Sequence, residues 1–292
     1  MQRTARGLRT DTASRLAELQ RQRPEWQSWF SLLNLVKNAF DDAGWHAPLG
    51  ERDASDGYAG SGDAPLLNGR TLKVNPGVAQ RLVRQLASSA AAGNLANTAS
   101  LHGYRPSPGD ALALIEAAVR QESSELAAAA DRAGVERGSM MSVAHLAALP
   151  LLQSCGRLLA DQVPRYWPHG YCPICAAWPI LAERRGLDRS RQLRCGRCGV
   201  EWEVQWLCCV YCDERDHERL GSLVPDEKGE LLKVETCTSC HGYLKSIATL
   251  QAIPAFELLL RDLETVELDL IAMDRGYGRP EESPFRLKVH LT

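Results

Sequence analysis

The sequence lacks several features that would place it in a specialised class of protein. Its formal net charge is −2, so no excess of one sign marks a binder of nucleic acid or of a membrane surface. No apolar run approaches the ~18–20 residues that a membrane span requires. The first 16 residues are basic but lack the apolar core of a secretory signal. We therefore expect neither a membrane span nor export.

Sequence signatures of the common catalytic sites are absent as well. The chain contains no phosphate-binding loop, no Gly-x-Ser-x-Gly and no His-Glu-x-x-His. The zinc-deaminase pattern also fails, because no His-x-Glu precedes a Pro-Cys-x-x-Cys. We therefore expect no enzymatic activity and assign no catalytic residue.

Cysteine, by contrast, is abundant and clustered. Eight of the ten cysteines form four Cys-x-x-Cys pairs: Cys172/Cys175, Cys195/Cys198, Cys209/Cys212 and Cys237/Cys240. Two thiolates on one tight turn hold a metal ion from one side, and a second turn completes a tetrahedron. A disulfide framework is the alternative, but it needs an oxidising compartment. Many thiols without an export signal instead indicate a reducing cytoplasm.

The spacing of the pairs favours two four-cysteine sites in tandem. Nineteen residues separate the first two pairs and 24 separate the last two, and either gap suits a β-hairpin. Sequential pairing is the simpler hypothesis, although a crossed arrangement (first with third, second with fourth) stays open. Four thiolates suit zinc and iron alike. A closed shell of four cysteines leaves no position for substrate, so zinc would be structural, whereas iron would be redox-active.

Three further residues near these pairs or in the helical region are given simpler roles. We interpret Cys208 as a neighbouring thiol, with an alternative ligand as the sharper hypothesis. We interpret Cys155 as a small buried hydrophobe. His241 follows Cys240 and could replace a lost thiolate, but we do not assign it as a ligand.

The remaining chain predicts a helical region before the cysteines and a helix after them. Apolar residues at helical spacing favour helices at 11–22, 24–40, 75–93, 108–134 and 139–161, with a loop at 41–69. Pro150 should kink or end the last of these helices. A long amphipathic helix is predicted at 254–274, and the alternating tail predicts a short strand.

These observations predict an α+β fold of three parts. A mostly helical domain occupies 1–165, and two tandem rubredoxin-like or zinc-ribbon four-cysteine modules occupy 166–250. The long C-terminal helix and tail occupy 251–292. Residues 199–207 alternate as a strand should, and the first hairpin is rich in arginine over 184–197.

The cysteine segments resemble a known family. Tyr171–Cys175 (YCPIC), 193–202 (LRCGRCGVEW), 209–212 (CVYC) and 237–245 (CTSCHGYLK) are similar to the formate dehydrogenase accessory protein family, FdhE. The helical stretch 263–272 is similar too. The resemblance is rich in motifs from 171 to 277 and depends on helical pattern alone before that. Glycine after the second cysteine of a pair is typical of rubredoxin-like turns, and only Gly199 provides it here.

The resemblance implies a cytoplasmic accessory or maturation factor (a chaperone in the broad sense) for membrane-associated formate dehydrogenases. It implies binding to the catalytic subunit of that enzyme, and two bound metal ions, with iron favoured and zinc as the alternative. The ligands carried over are the eight paired cysteines: Cys172, Cys175, Cys195, Cys198, Cys209, Cys212, Cys237 and Cys240. No catalytic or cofactor-binding residue is carried over. A homodimer is left open.

Two other functions remain as alternatives. A nucleic-acid-binding ribbon protein would use the arginines of 184–197 with Trp178, Trp202 and Trp206, although the near-neutral charge and the acidic second hairpin do not favour it. A small electron carrier would require iron that cycles reversibly.

Overall fold

The computed structural model describes residues 14–46, 49–52, 64–93, 95–225 and 231–292. The chain divides into two compact units. The first takes the described residues of Met1–Gly57, Leu67–Cys155 and Leu287–Thr292. The second takes those of Tyr58–Leu66 and Gly156–Arg286. Helices build most of the first unit and a six-stranded sheet organises the second, which confirms the predicted mixed architecture.

Six helices account for most of the first unit. They are α1 (14–22 in the described part), α2 (Gln27–Phe40), α3 (Pro76–Ala92), α4 (Pro108–Arg120), α5 (Ser123–Ala133) and α6 (Arg137–Leu159). Local capping fixes where two of them begin. Asn75 accepts hydrogen bonds from the N–H groups that open α3, and Ser107 forms a capping box with Asp110 at α4. In both, proline takes the first helical position.

The helix predicted over 108–134 is divided into α4 and α5. Gln121 ends α4 in the left-handed conformation, with φ 61°. Its N–H bonds back to the carbonyls of Ala117 and Ala118, as in a helix C-cap. The prediction of one helix was wrong here because no glycine or proline marks the break in the sequence.

Helix α6 continues through Pro150, so the helix does not end there, which was one of the two predicted outcomes. With the turn that follows it, Arg137–Gln162 is long and apolar enough by composition to cross a membrane. However, 72% of its apolar window is buried inside the protein, as in a core helix. The last residues of α6, from Gly156 onward, belong to the second unit.

A three-stranded sheet completes the first unit. Strand β1 (Leu49–Arg52) pairs antiparallel with β2 (Arg70–Leu72), and β2 pairs parallel with β9 (Val289–Leu291). The strand predicted in the tail is therefore β9. The loop predicted over 41–69 is wrong at β1, while 47–48 and 53–63 of that loop lie outside the described residues.

One six-stranded sheet organises the second unit, in the order β5-β4-β3-β8-β7-β6. Its strands are β3 (Leu181–Arg185), β4 (Ser190–Arg194), β5 (Glu201–Glu203), β6 (Leu220–Leu223), β7 (Leu232–Cys237) and β8 (Tyr243–Thr249). Each run of three strands is an antiparallel ribbon, and β3 pairs parallel with β8 to join the two ribbons. The predicted strand at 199–207 is shorter, because only 201–203 pairs with a neighbour.

The predicted C-terminal helix is two shorter helices, α7 (Glu257–Glu264) and α8 (Val266–Asp274). Thr265 separates them with φ −107° and ψ 22°, and its hydroxyl donates to the carbonyl of Arg261. Helix α7 packs Leu258 on Leu181 and Ile247 of the sheet. A β-branched residue whose hydroxyl competes for backbone carbonyls is a physical reason for the interruption.

A buried ion cluster fastens these helices to the sheet. Lys245 is fully buried, and its Nζ lies 2.6 Å from Asp262 Oδ1 and 2.7 Å from Asp269 Oδ2. Arg279 pairs with the same two carboxylates. Because each buried charge has a partner, the cluster can be accommodated away from water. The boundaries predicted at 1–165, 166–250 and 251–292 are not decided by this packing and stay a prediction.

Candidate metal centres

The structure gathers the eight paired cysteines into two groups, which we call the first site and the second site. The first site is Cys172, Cys175, Cys195 and Cys198; the second is Cys209, Cys212, Cys237 and Cys240. Within each group all Sγ atoms lie within 4.8 Å of one another. The grouping follows the sequential hypothesis and not the crossed one.

The same chain path builds both sites. In each ribbon one Cys-x-x-Cys turn precedes the first strand, and the other lies between the second and third strands. The antiparallel pairing of β3 with β4, and of β6 with β7, carries the second turn back beside the first. The hairpin spacing of the pairs in the sequence therefore corresponds to a real hairpin in each ribbon.

The backbone turns alike after each pair of cysteines. Ala176, Gly199, Asp213 and His241 all have positive φ, at 60°, 79°, 57° and 54°. The N–H of Ala176 bonds to the carbonyl of Cys172, and that of Asp213 bonds to the carbonyl of Cys209. The turn geometry is therefore rubredoxin-like at all four positions, including the three where glycine is missing. Asp and His tolerate this conformation better than other non-glycine residues, whereas alanine does not.

Sulfur geometry tests whether a metal ion fits. The Sγ atoms of Cys172 and Cys198 are 3.4 Å apart, and those of Cys175 and Cys195 are 3.5 Å apart. In the second site the corresponding distances are 3.6 Å (Cys209 to Cys240) and 3.8 Å (Cys212 to Cys237). A tetrahedral ion with metal–sulfur bonds of about 2.3 Å requires sulfurs about 3.8 Å apart. The residues present therefore fit two four-sulfur ions.

Backbone N–H groups point at the sulfur of the leading cysteine in each turn. The N–H groups of Ile174 and Cys175 lie 3.4 Å and 3.5 Å from Cys172 Sγ, and that of Cys198 lies 3.4 Å from Cys195 Sγ. The turns of the second site direct N–H groups at Cys209 and Cys237 in the same way. Such donors stabilise thiolate charge and tune a metal bound to it.

Burial gives the first site an unusual protonation pattern. It raises the pKa of Cys172 and Cys198 well above the ordinary value. At Cys195 burial acts in the same direction, but hydrogen bonds from the other thiols outweigh it and the pKa falls well below the ordinary value. Four close thiols that cannot all ionise in an apolar interior are the condition that a divalent or trivalent cation relieves.

Neighbouring segments cover the first site. A Cβ on Gly156, near the end of α6, would lie 2.0 Å from the carbonyl oxygen of Cys198. A Cβ on Gly199 would lie 2.4 Å from the Cβ of Ala255. The N–H of Leu66 bonds to the carbonyl of Pro173. All four cysteines of this site are consequently buried.

The second site is more open. Cys212 and Cys240 are exposed, whereas Cys209 and Cys237 are buried. Burial raises the pKa of Cys240 to about 11. Cys212 is followed by the charged residues Asp213, Glu214 and Arg215, which lie at the surface or beside it. Two of the four cysteine residues of this site are thus exposed.

Aromatic side chains surround the approach to the second site. Rings of His169 and Tyr171 stack at 4.7 Å, and Trp178 meets Tyr211 edge to face at 5.1 Å. These rings, together with Trp206, line a cavity of ≈ 640 Å³ that reaches Cys212. No signal in the sequence indicates that these rings reach the second site.

The remaining candidate residues belong to neither group of four. Cys208 donates a hydrogen bond to Asp213 Oδ1 at 3.0 Å, and burial raises the pKa of its thiol to about 11. Cys155 is buried in α6, in agreement with the role of a small hydrophobe. The ring of His241 lies 6.2 Å from that of Tyr277. The structure includes none of the three in a group of four sulfurs.

Comparison with known proteins places these geometries in context. Residues 207–285 match the family described as FdhE, C-terminal domain, which includes the second site. An FdhE homolog of Stutzerimonas stutzeri is 37% identical over 111 residues, covering 37% of this chain and 35% of that relative. Protein FdhE of Escherichia coli O127:H6 is 32% identical over 120 residues, covering 39% and 37%. The chain thus matches little more than a third of the length of these curated relatives.

A solved structure extends the likeness over most of the chain. The crystal structure of the FdhE protein from Pseudomonas aeruginosa matches with a TM-score of 0.58. The match covers 94% of this chain and 92% of that one, at 21% sequence identity. At this identity the likeness concerns the fold, which in both chains is the same mixed architecture. In this chain that fold holds the two cysteine groups.

Proposed function

We propose that the chain is a member of the FdhE family and an accessory factor required for the activity of a membrane-associated formate dehydrogenase. In this role it works in the cytoplasm as a maturation factor. It binds the catalytic subunit of that enzyme through the ribbon region and catalyses no reaction itself.

We assign two metal ions to the ribbon region, with the eight paired cysteines as their ligands. Iron is favoured by the family resemblance and zinc is the alternative. Either ion would fix the turns of the ribbons, and iron would add one-electron chemistry. Four sulfurs complete the coordination of a tetrahedral ion, which supports a binding role over a catalytic one.

The observation that carries this proposal is the unequal exposure of the two sites. The first site is enclosed and suits a purely structural role. In the second, Cys212 and Cys240 are exposed, and Cys212 lines a cavity with aromatic rings. Aromatic side chains with one exposed face are enriched at protein interfaces. Trp206, 46% exposed, and Tyr166, 76% exposed, are available there for the client's catalytic subunit.

Formate-dependent dye reduction in a native strain that lacks the gene tests the role. We expect deletion to abolish the activity and the wild-type chain to restore it. Chains with either site changed from Cys to Ser should not restore it. Formate oxidation that is unaffected by the deletion would overturn the proposal.

Client binding has its own test, co-purification of the catalytic subunit with the tagged chain. Trp206→Ala should reduce the amount recovered at least about fivefold, because a buried aromatic anchor often supplies more than about 1 kcal/mol. Leu187→Ala is the matched control, since Leu187 is 96% exposed on the turn between β3 and β4. Equal recovery with both variants would place the client elsewhere.

The nucleic-acid alternative is less well supported. Arg184, Arg191 and Arg194 of the arginine-rich hairpin are all buried. Arg194 pairs with Glu183 and Arg191 pairs with Glu235, so these charges face carboxylates within the protein. A phosphate backbone requires exposed cations. A steep loss of DNA or RNA binding with added salt would nevertheless favour this alternative.

A further inference from the structure

A second cavity lies on the other face of the six-stranded sheet from α7 and α8. Those helices pack on the face that carries Leu181, Val234 and Ile247. The cavity has a volume of ≈ 240 Å³ and lies where β6, β7 and the segment 206–210 meet. One water requires only roughly 10–15 Å³ of such space, so the cavity can hold a small molecule.

Two cations line this cavity, and a third lies beside them. Arg191 of β4 and Lys233 of β7 line it directly. Arg184 is the cross-strand partner of Arg191, so the two guanidinium groups occupy the same face of the sheet. Like charges directly opposite each other destabilise a pair of strands. Within the described residues, Glu235 is the one carboxylate among the lining side chains.

Arg191 is fixed in place, and it already forms an ion pair with the carboxylate of Glu235. Its side chain is 2% exposed, and its Nη2 lies 2.6 Å from Glu235 Oε2. Its Nη1 donates to the carbonyl of Gln205 at 2.9 Å. Arg191 therefore holds the segment between the ribbons over the cavity and keeps its own positive charge there.

Lys233 differs from Arg191 in its contacts. Within the described part of the chain, no hydrogen bond or ion pair of 4.0 Å or less engages its Nζ, which lies 5.7 Å from the ring centroid of Trp206. Burial lowers the pKa of Lys233; Glu235 acts to raise it, while Arg184 and Arg191 lower it further. The ammonium group therefore lies near Arg191, whose charge Glu235 offsets, and it has no ion-pair partner of its own among the described residues.

We propose that this cavity binds a small oxyanion, a phosphate or a carboxylate group of a small molecule. Lys233 contacts the anion, and Arg191 contributes a fixed charge behind it. Ser222 of β6 also lines the cavity and offers a hydroxyl donor. Such an anion would pair with the ammonium group of Lys233 and accept charge-assisted hydrogen bonds. This inference does not depend on the proposed client.

The main alternative explanation is that the cations of this cavity balance the negative charge of the second site. Cys209 and Cys237 also line the cavity, and four thiolates around one metal ion carry net negative charge. If the cations served only to offset that charge, Lys233 would matter for metal retention and not for anions. The two explanations therefore predict different results for the same variant.

Calorimetric titration of the metal-loaded full chain with inorganic phosphate and, separately, with acetate tests the proposal. We expect saturable binding of one anion per chain. Lys233→Met should weaken it by at least about tenfold, since one charge-assisted hydrogen bond is lost. Lys233→Arg should retain most of the affinity. Lys73→Met, at an exposed lysine after β2, is the matched control and should bind as wild type.

The two titrations also identify the source of the oxyanion. Tighter binding of phosphate favours a phosphate ligand, and tighter binding of acetate favours a carboxylate. Saturable heat for neither anion would overturn the proposal, as would equal affinity in Lys233→Met and wild type. Loss of metal from Lys233→Met without any anion binding would overturn it in favour of charge balance.

Discussion

The first and second sites use the same backbone turns, but the surroundings of the turns differ. Segments from the end of α6 and from the stretch before α7 press against the first site, and all four of its sulfurs are buried. At the second site two of the four cysteine residues are exposed, and one of these, Cys212, lines an aromatic cavity. Ligand geometry is thus set by the local turn, whereas accessibility is set by distant parts of the chain. We infer that the first site maintains the fold and the second is available to partners.

Removing a sulfur should show the largest difference between the two sites, which is a difference in the free energy of unfolding. Cys175→Ser is expected to lower the free energy of unfolding by more than about 3 kcal/mol, because metal binding free energy is folding free energy in such modules. Thermal unfolding followed by circular dichroism measures the loss. Cys240→Ser, at an exposed sulfur, is the matched variant and should lose less than half as much. Equal losses would remove the distinction between the sites.

Chelators should distinguish the two sites kinetically. We expect metal release to a chelating dye in two phases of equal amplitude, the faster at least about tenfold quicker, because opening free energies vary across a structure. The faster phase belongs to the second site. Cys240→Ser should lack that phase and keep the slower one. A single phase in the wild-type chain would contradict the comparison.

Close packing around the first site predicts a moderate loss of stability when a residue other than a cysteine is enlarged there. Gly156→Ala places a Cβ 2.0 Å from the carbonyl oxygen of Cys198. We expect a loss of about 1–3 kcal/mol of stability, since overpacking forces the backbone to shift. Gly109→Ala is the control, because its Cβ would have a nearest neighbour at 3.8 Å. Urea unfolding of both variants measures the difference, and a neutral Gly156→Ala would show that α6 yields easily.

Substitutions at the turn residues that follow each pair of cysteines should have the smallest effect on stability, and glycine there should stabilise the chain. Ala176→Gly should stabilise the first site by about 0.5–1 kcal/mol, because alanine is strained at φ 60°. His241→Gly should gain less at the second site, since histidine tolerates that conformation better. Gly199→Ala should instead destabilise the chain. Denaturant midpoints of the three variants measure these shifts, and a destabilising Ala176→Gly would refute the role of strain.

Local patterns in the sequence were enough to predict the cysteine groups and most helices. Cys-x-x-Cys turns and hairpins are short-range features, so the spacing favoured two sequential groups of four and left only the crossed arrangement as an alternative. The same holds for α3 and α4, whose starts are marked by Asn75-Pro76 and Ser107-Pro108. The breaks at Gln121 and Thr265 were missed because ordinary residues adopt special conformations there.

Long-range packing accounts for what the sequence did not predict. The positive φ of Ala176 and His241 is imposed by the turn around the sulfurs, although neither residue is glycine. The exposure of Cys212 and the burial of Cys198 depend on which distant segments cover each turn. The charged cavity beside Lys233 arises only when β4 and β7 are brought into one sheet by the β3–β8 pairing.

The most direct test of the central claim is the metal content of three purified chains by elemental analysis, alongside their circular dichroism. We predict two equivalents for the wild type and one for Cys212→Ser with Cys240→Ser, with the folded spectrum kept. We predict loss of the folded spectrum when Cys175 and Cys195 are both changed to Ser. One equivalent and a folded spectrum in both double variants would contradict the unequal roles, and no metal in the wild type would contradict the sites themselves.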